Sequence, residues 1–322
     1  MDFDTKIELS IIAPMYNEEE NVIITFEKIT TELDKIGKLY EIIFVNDGST
    51  DNTYEVCKRL QQEKLEVLKV VSYFPNCGRG KALQEGFKLA KGKYVFTVDF
   101  DLSYDASHIT QMYECLIRNS QIDIVLTSAY MKGGKTIGVP KNRLLISKLG
   151  NRVLSYVFPV KIATSTCVVR GYKNHVIKSL SLDSVDKEIH LEILSKAFAL
   201  GYQIKEIPGV LERRKAGKSS FKFSATSQSH IIFLLTEKPA FYFRMMGMIF
   251  FILSILTGGG VLFNRIYKFS ANSEFWDFIS PSLVLFLLII SVLFFVVSIL
   301  ALLFSELRRE IIKMQAMLRS KE

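Results

Sequence analysis

Two aspartates one residue apart, in the run Val98-Asp99-Phe100-Asp101, are the sharpest chemical signal in this chain. Carboxylates at i and i+2 on an extended segment point the same way, so the pair offers two hard oxygen donors to one divalent cation. Such a cation can bridge the carboxylates to a diphosphate. Three polar clusters precede the pair. Pro14-Met15-Tyr16-Asn17-Glu18, Asn46-Asp47-Gly48-Ser49-Thr50-Asp51 and Asn76-Cys77-Gly78-Arg79-Gly80-Lys81 each follow a short apolar run. In the second cluster Gly48 allows a tight turn, and Ser49 or Asp51 is placed to cap the next helix. In the third, two glycines and two cations ahead of a helical stretch suit a phosphate. The Gly-x-x-x-x-Gly-Lys-Ser/Thr spacing is absent, which argues against a nucleoside-triphosphatase loop.

The elements that must hold these clusters alternate. Apolar runs over 7–14, 40–45, 67–71 and 94–98 read as strands. Helical spacing fills 21–36, 54–62 and 79–90, as in Val22, Ile23, Phe26, Ile29, Leu33 and Ile36. This βαβ order predicts an α/β fold with a mostly parallel, Rossmann-like sheet. Ligands in such sheets bind at the carboxyl ends of the strands, where all four clusters fall. An isolated Asp-x-Asp is weak evidence; one in step with three strand-end clusters is much stronger.

The 322 residues include 49% apolar and 23% charged side chains, which excludes global disorder. A mean hydropathy of +0.22 points to a concentrated apolar segment. Two such segments lie after residue 240. Residues 245–263 and 281–304 carry no charge over 19 and 24 positions, enough to cross a bilayer. Basic residues flank them on the outside: Lys238 and Arg244 before, and Arg308, Arg309, Lys313, Arg319 and Lys321 after. The positive-inside rule then puts both flanks in the cytoplasm and 264–280 outside, with Tyr267, Trp276 and Phe278 suited to an interfacial belt.

The expected layout is a cytoplasmic catalytic domain over 1–220 and a juxtamembrane amphipathic segment over 221–239. Spans follow at 240–263 and 281–304 around the external loop 264–280, then a cytoplasmic amphipathic tail over 305–322. Gly258–Gly260 permits close packing of the spans and self-association into a homo-oligomer. The charged start of the chain predicts no signal peptide. Four scattered cysteines argue against a disulfide framework or structural zinc, and fit a reducing compartment.

The net charge of +8 has three classes of partner to choose from: nucleic acid, anionic membrane and phosphorylated ligands. Eight Lys and Arg against three acids over 205–244, next to the first span, favour membrane lipids and phosphate. Nucleic-acid binding has little support, because the cations do not interleave with aromatics on a recognised module.

In order and spacing PMYNE, VNDGSTD, NCGRGKA and VDFD resemble a family 2 glycosyltransferase of the GT-A fold. Val139-Pro140-Lys141-Asn142-Arg143 with Ser147, Glu206-x-Pro208 and Arg213-Arg214-Lys215-Ala216-Gly217-Lys218-Ser219 are similar to its polyprenyl-phosphate branch, which contains dolichol-phosphate mannosyltransferases. The resemblance covers residues 7–235. It implies that Pro14, Tyr16, Glu18, Asp47, Lys81 and Asp99 bind a GDP- or UDP-linked nucleotide sugar. It implies Mg²⁺ or Mn²⁺ at Asp99 and Asp101, with Ser103 where the family often has a glutamine. Asp101, Arg143 and Arg214 become the catalytic residues, and Arg143, Ser147 and Arg214 bind the lipid phosphate. The family's Ser-Arg-Tyr is Ser128-Ala129-Tyr130 here, so one phosphate-binding arginine is missing; Lys132, Lys135 and Arg170 are candidates to replace it.

The implied reaction is metal-dependent transfer of the sugar to a polyprenyl phosphate with inversion. An acceptor phosphate is already ionised at pH 7 and needs no strong base, which matches four histidines that lie outside the motifs. Two alternatives stay open: a glycolipid or polysaccharide acceptor, and a non-catalytic nucleotide-sugar-binding membrane protein.

Overall fold

The computed structural model describes residues 6–156, 158–213, 237–267 and 281–319. Strands form where the apolar runs predict them: β1 (Leu9–Met15), β2 (Tyr40–Asp47), β3 (Leu68–Tyr73) and β4 (Tyr94–Thr97). Between them run α1 (Val22–Ile36), α2 (Thr53–Glu63) and α3 (Arg79–Leu89). α1 ends because Gly37 takes the left-handed φ of 65° and its N–H returns to the Leu33 carbonyl. β2 is buried along its whole length after Tyr40, as a strand covered on both faces must be.

The chain continues through α4 (Ser107–Arg118), β5 (Ile124–Ser128), β6 (Lys135–Ile137) and α5 (Lys141–Ser155). Then come β7 (Arg170–Lys173), α6 (Asn174–Ser179), α7 (Ile189–Ala199), β8 (Ile204–Pro208) and β9 (Val210–Glu212). Seven strands make one sheet in the order β3-β2-β1-β4-β7-β5-β8, and β6 pairs with β9 in a second. β7 runs antiparallel to both its neighbours and the other pairs are parallel. The order reverses between β1 and β4, so the crevice a ligand enters lies beyond their carboxyl ends. The core is apolar on both faces of the sheet, with Ile11, Phe44, Phe96 and Leu33 fully buried.

Helices α8 (Pro239–Tyr267) and α9 (Pro281–Arg319) are long and apolar enough to cross a membrane, and only 11% of the most apolar stretch of each is buried. A core helix of a soluble domain would hide most of that surface. Residues 231–311 form one compact unit; residues 1–230 and 312–322 form the other.

Within the helical unit, serine hydroxyls on one helix donate to carbonyls of the other. Ser291 bonds the Gly247 carbonyl at 2.9 Å, Ser298 that of Ala240 at 2.8 Å and Ser254 that of Val284 at 3.0 Å. Phe250 stacks on Phe294. The close approach is at Gly247, where an added Cβ would lie 3.2 Å from the Ser291 carbonyl. It recurs at the first of the expected glycines, where a Cβ on Gly258 would lie 3.2 Å from Val284 Cγ1, but a Cβ at Gly259 would meet nothing within 4 Å. The second apolar stretch and the tail are one continuous helix. The segment 221–236, the loop 268–280 and Arg214 lie outside the described residues.

Candidate active site

The registers Met15 to Asn46, Asp47 to Tyr73 and Ile12 to Thr97 bring the ends of β1 to β4 side by side. Hydrogen bonds then join the loops after β1 and β2. The Asn17 N–H donates to Ser49 Oγ at 2.9 Å, and Asn17 Oδ1 accepts from the Thr50 N–H at 2.8 Å. The Glu18 N–H donates to Thr53 Oγ1 at 2.8 Å. Asn17 reaches this position with a left-handed φ of 55°, which asparagine tolerates. Ser49 is thus committed to Asn17. Asp51, one residue before the N-cap Asn52 of α2, accepts the Thr53 N–H at 3.0 Å. Pro14 lies on β1, Tyr16 is exposed, and Glu18 accepts from the Asn21 amide at 2.7 Å.

Asp47, an expected nucleotide ligand, also ties the next loop together. It is 4% exposed. Its carboxylate accepts the Cys77 N–H at 2.8 Å, the Gly78 N–H at 3.0 Å and the Asn76 amide at 3.0 Å. Burial, then the Asp47 charge, pushes the neighbouring Tyr73 hydroxyl well above its ordinary value. A Cβ on Gly48 would sit 2.6 Å from the Asn76 nitrogen, so only glycine fits. The strap 183–186 crosses the next turn: the Lys81 N–H donates to the Val185 carbonyl at 2.9 Å, and a Cβ on Gly80 would lie 2.4 Å from the Ser184 carbonyl. Three amides of this loop are already bonded, those of Cys77 and Gly78 to Asp47 and that of Lys81 to Val185. Its cations also divide. Lys81 pairs with Glu85 along α3 at 2.6 Å, whereas Arg79 reaches Asp99 at 3.9 Å. The motif flagged both; Arg79 is the one beside the acidic pair.

Asp99 and Asp101 do not sit on a strand. β4 ends at Thr97, and the Leu102 N–H closes a turn onto the Asp99 carbonyl at 3.0 Å, with φ of 47° at Leu102. The i, i+2 alternation expected of an extended run therefore fails here. Phe100 anchors the turn instead. It is buried against Phe44 with ring centroids 4.9 Å apart, and its carbonyl accepts from Thr25 Oγ1 at 2.7 Å. Asp101 Oδ1 accepts both the Ser103 N–H at 3.0 Å and the Ser103 hydroxyl at 2.6 Å.

Among the described residues no group of three or more His, Cys, Asp and Glu could hold a metal. Two carboxylates and a hydroxyl still fit Mg²⁺ or Mn²⁺, since such ions keep waters and share diphosphate oxygens. Among the described residues no activated nucleophile stands nearby. Burial first, and then the Asp99 charge, pushes the Cys167 thiol up to about 12. All four cysteines are free thiols.

The loop 162–166 is held by side chains from β8, α5 and β5. Glu206 on β8 accepts the Ala163 and Thr164 N–H groups at 2.8 and 2.9 Å. Asn151 on α5 accepts the Ser165 N–H at 2.9 Å, and Ser128 bonds Thr164 at 2.7 Å. Ser147 accepts from the Tyr130 hydroxyl at 2.9 Å. Arg143 is exposed in the first turn of α5. Arg170 cannot stand in for the arginine missing at Ala129. It is fully buried, with its guanidinium on the carbonyls of Ser165, Cys167 and His190. Lys132 and Lys135 are exposed. His190 is buried with both ring nitrogens unpartnered; burial, then Arg170 and Arg79, holds it well below its ordinary value and so neutral. His108 is structural: Nε2 accepts the Val210 N–H at 3.2 Å.

A switched, mostly parallel sheet with an acidic turn after β4 is the GT-A type of nucleotide-binding domain. The chain matches the glycosyl transferase family 2 model over residues 10–180, more than half of its length, and belongs to that family. It is 32% identical over 219 residues to a dolichol-phosphate mannosyltransferase of Pyrococcus furiosus, covering 67% of this chain and 60% of that one. It is 27% identical to an undecaprenyl-phosphate 4-deoxy-4-formamido-L-arabinose transferase of Edwardsiella ictaluri, covering 68% and 65%. The matches thus span less than two thirds of those relatives. In fold it is similar to glucosyl-3-phosphoglycerate synthase from Mycobacterium tuberculosis in complex with Mn²⁺, UDP-glucose and phosphoglyceric acid. That likeness has a TM-score of 0.57 and 18% identity over 72% of this chain and 79% of that one.

Proposed function

We propose that this protein transfers a sugar from a GDP- or UDP-linked donor to a polyprenyl phosphate, inverting the anomeric centre. The observation that carries the reading is the acidic turn Asp99–Asp101 beside Arg79, set beyond the sheet's switch point in a chain whose curated relatives are named as polyprenyl-phosphate sugar transferases. A divalent cation held by Asp99 and Asp101, with Ser103 beside them, would neutralise the developing charge of the leaving diphosphate. The protein's own work is positioning. Asp47 and Asn17 fix the loops around the nucleotide. Arg79 exchanges a partly exposed ion pair, worth little in water, for a diphosphate oxygen. Arg143 and Arg214 bind the acceptor phosphate, which is already charged and requires no base. The helices α8 and α9 anchor the enzyme in the cell membrane, with the catalytic domain and both termini on the cytoplasmic side by the distribution of basic residues.

The test is a screen of nucleotide sugars with purified full-length protein, Mg²⁺ or Mn²⁺ and a short polyprenyl phosphate, read as the mass of the lipid product. A sugar-phosphate lipid that forms only with metal supports the proposal. No product with any common donor refutes it.

A further inference from the structure

Helix α5 leaves an apolar face uncovered. Leu145, Ile146, Leu149 and Val153 are exposed, Leu145 and Leu149 at 69% and 61%. At about 100° per residue these four fall within one arc of about 100°. Asn151 and Leu154 lie on the opposite side and are buried. Cations border the arc. Lys141, Lys148 and Arg152 line one edge and Arg143 the other, and α5 contains no acidic residue. Each of the four is exposed. A contiguous apolar patch rimmed by one sign of charge marks a docking surface.

We propose that α5 docks on an anionic lipid surface, lying in the plane of the interface with its apolar arc among the acyl chains. The charge pattern selects this occupant. Basic residues flanking an apolar stripe suit anionic head groups above the hydrocarbon. A second copy fits worse, because a two-fold interface sets the same patch against itself and would oppose eight cations with no acid between them.

The experiment places an environment-sensitive fluorophore at Leu149→Cys, in a Cys77→Ser background that removes the one exposed native thiol. The full chain is held in lipid nanodiscs without donor, so the readout is independent of sugar transfer. Lipids with brominated chains are expected to quench this label strongly, and more so with phosphatidylglycerol present than in phosphatidylcholine alone. A label at Lys88→Cys on α3 serves as the water-exposed reference. Adding Lys148→Gln and Arg152→Gln should lower the docked-to-free ratio about 25-fold, from roughly fivefold per cation. Quenching no greater than at Lys88→Cys overturns the proposal. So does crosslinking of Leu149→Cys between copies in place of quenching.

Discussion

Asp47→Asn separates a residue that holds a loop from one that only touches the nucleotide. The carboxylate serves three donors: the N–H groups of Cys77 and Gly78 and the Asn76 amide. An asparagine of the same shape keeps one oxygen and turns an NH₂ toward the other donors. It loses a charge-assisted bond and leaves a buried donor unmet, at a cost of about 2–3 kcal/mol. For a domain of this size that is a fall in Tm of about 4–12 °C. The assay is thermal unfolding of the purified protein without any nucleotide, followed by the KM for the donor. The geometry predicts that the ligand-free Tm drops and that KM rises as the loop 76–78 loosens. An unchanged ligand-free Tm with a raised KM would refute the loop-holding role and return Asp47 to simple nucleotide contact.

Asp101→Asn keeps an oxygen for the two Ser103 bonds but loses the charge, so the Tm should hold while transfer falls about a hundredfold or more in a radiolabel assay. Phe100→Ala removes the ring packed on Phe44; a loss of about 3–5 kcal/mol in denaturant titration is expected, with transfer lost alongside. Glu41 is buried on β2, and burial alone would raise its pKa, but hydrogen bonds from Lys69, Ser10 and the Lys91 N–H outweigh that and lower it below 4.5. A lowered folded value means the stabilisation is full above pH 4.5 and is lost as pH falls through the folded value. Tm against pH should therefore drop more steeply below pH 4.5 in the wild type than in Glu41→Gln, which has lost the titrating group.

The first half of the sheet was legible because buried parallel strands read as apolar runs and each ends in a polar cluster. β1 to β4 and α1 to α3 all fall within two residues of their expected ends. What local pattern missed was set by distant partners. The Asp99–Asp101 turn depends on Phe100 finding Phe44, 56 positions earlier in the chain, and no window around the motif contains that fact. Arg170 looked like an available phosphate ligand because side-chain pattern does not show the backbone of Ser165 and Cys167 folding back onto it, nor the distant His190 carbonyl that closes the cage. The pairing of Lys81 with Glu85, one helical turn later, is by contrast local and readable from spacing.

The bonds between Asn17 and Ser49, Asn17 and Thr50, and Glu18 and Thr53 bear on how this protein can be altered. The first two strand-end loops behave as one part made from two stretches of chain more than thirty residues apart. Exchanging either loop alone with a relative's, to change donor preference, would leave mismatched donors and acceptors at the seam. The two must be transplanted together, and substitutions at Asn17 should tolerate change only when Ser49 and Thr50 change with it.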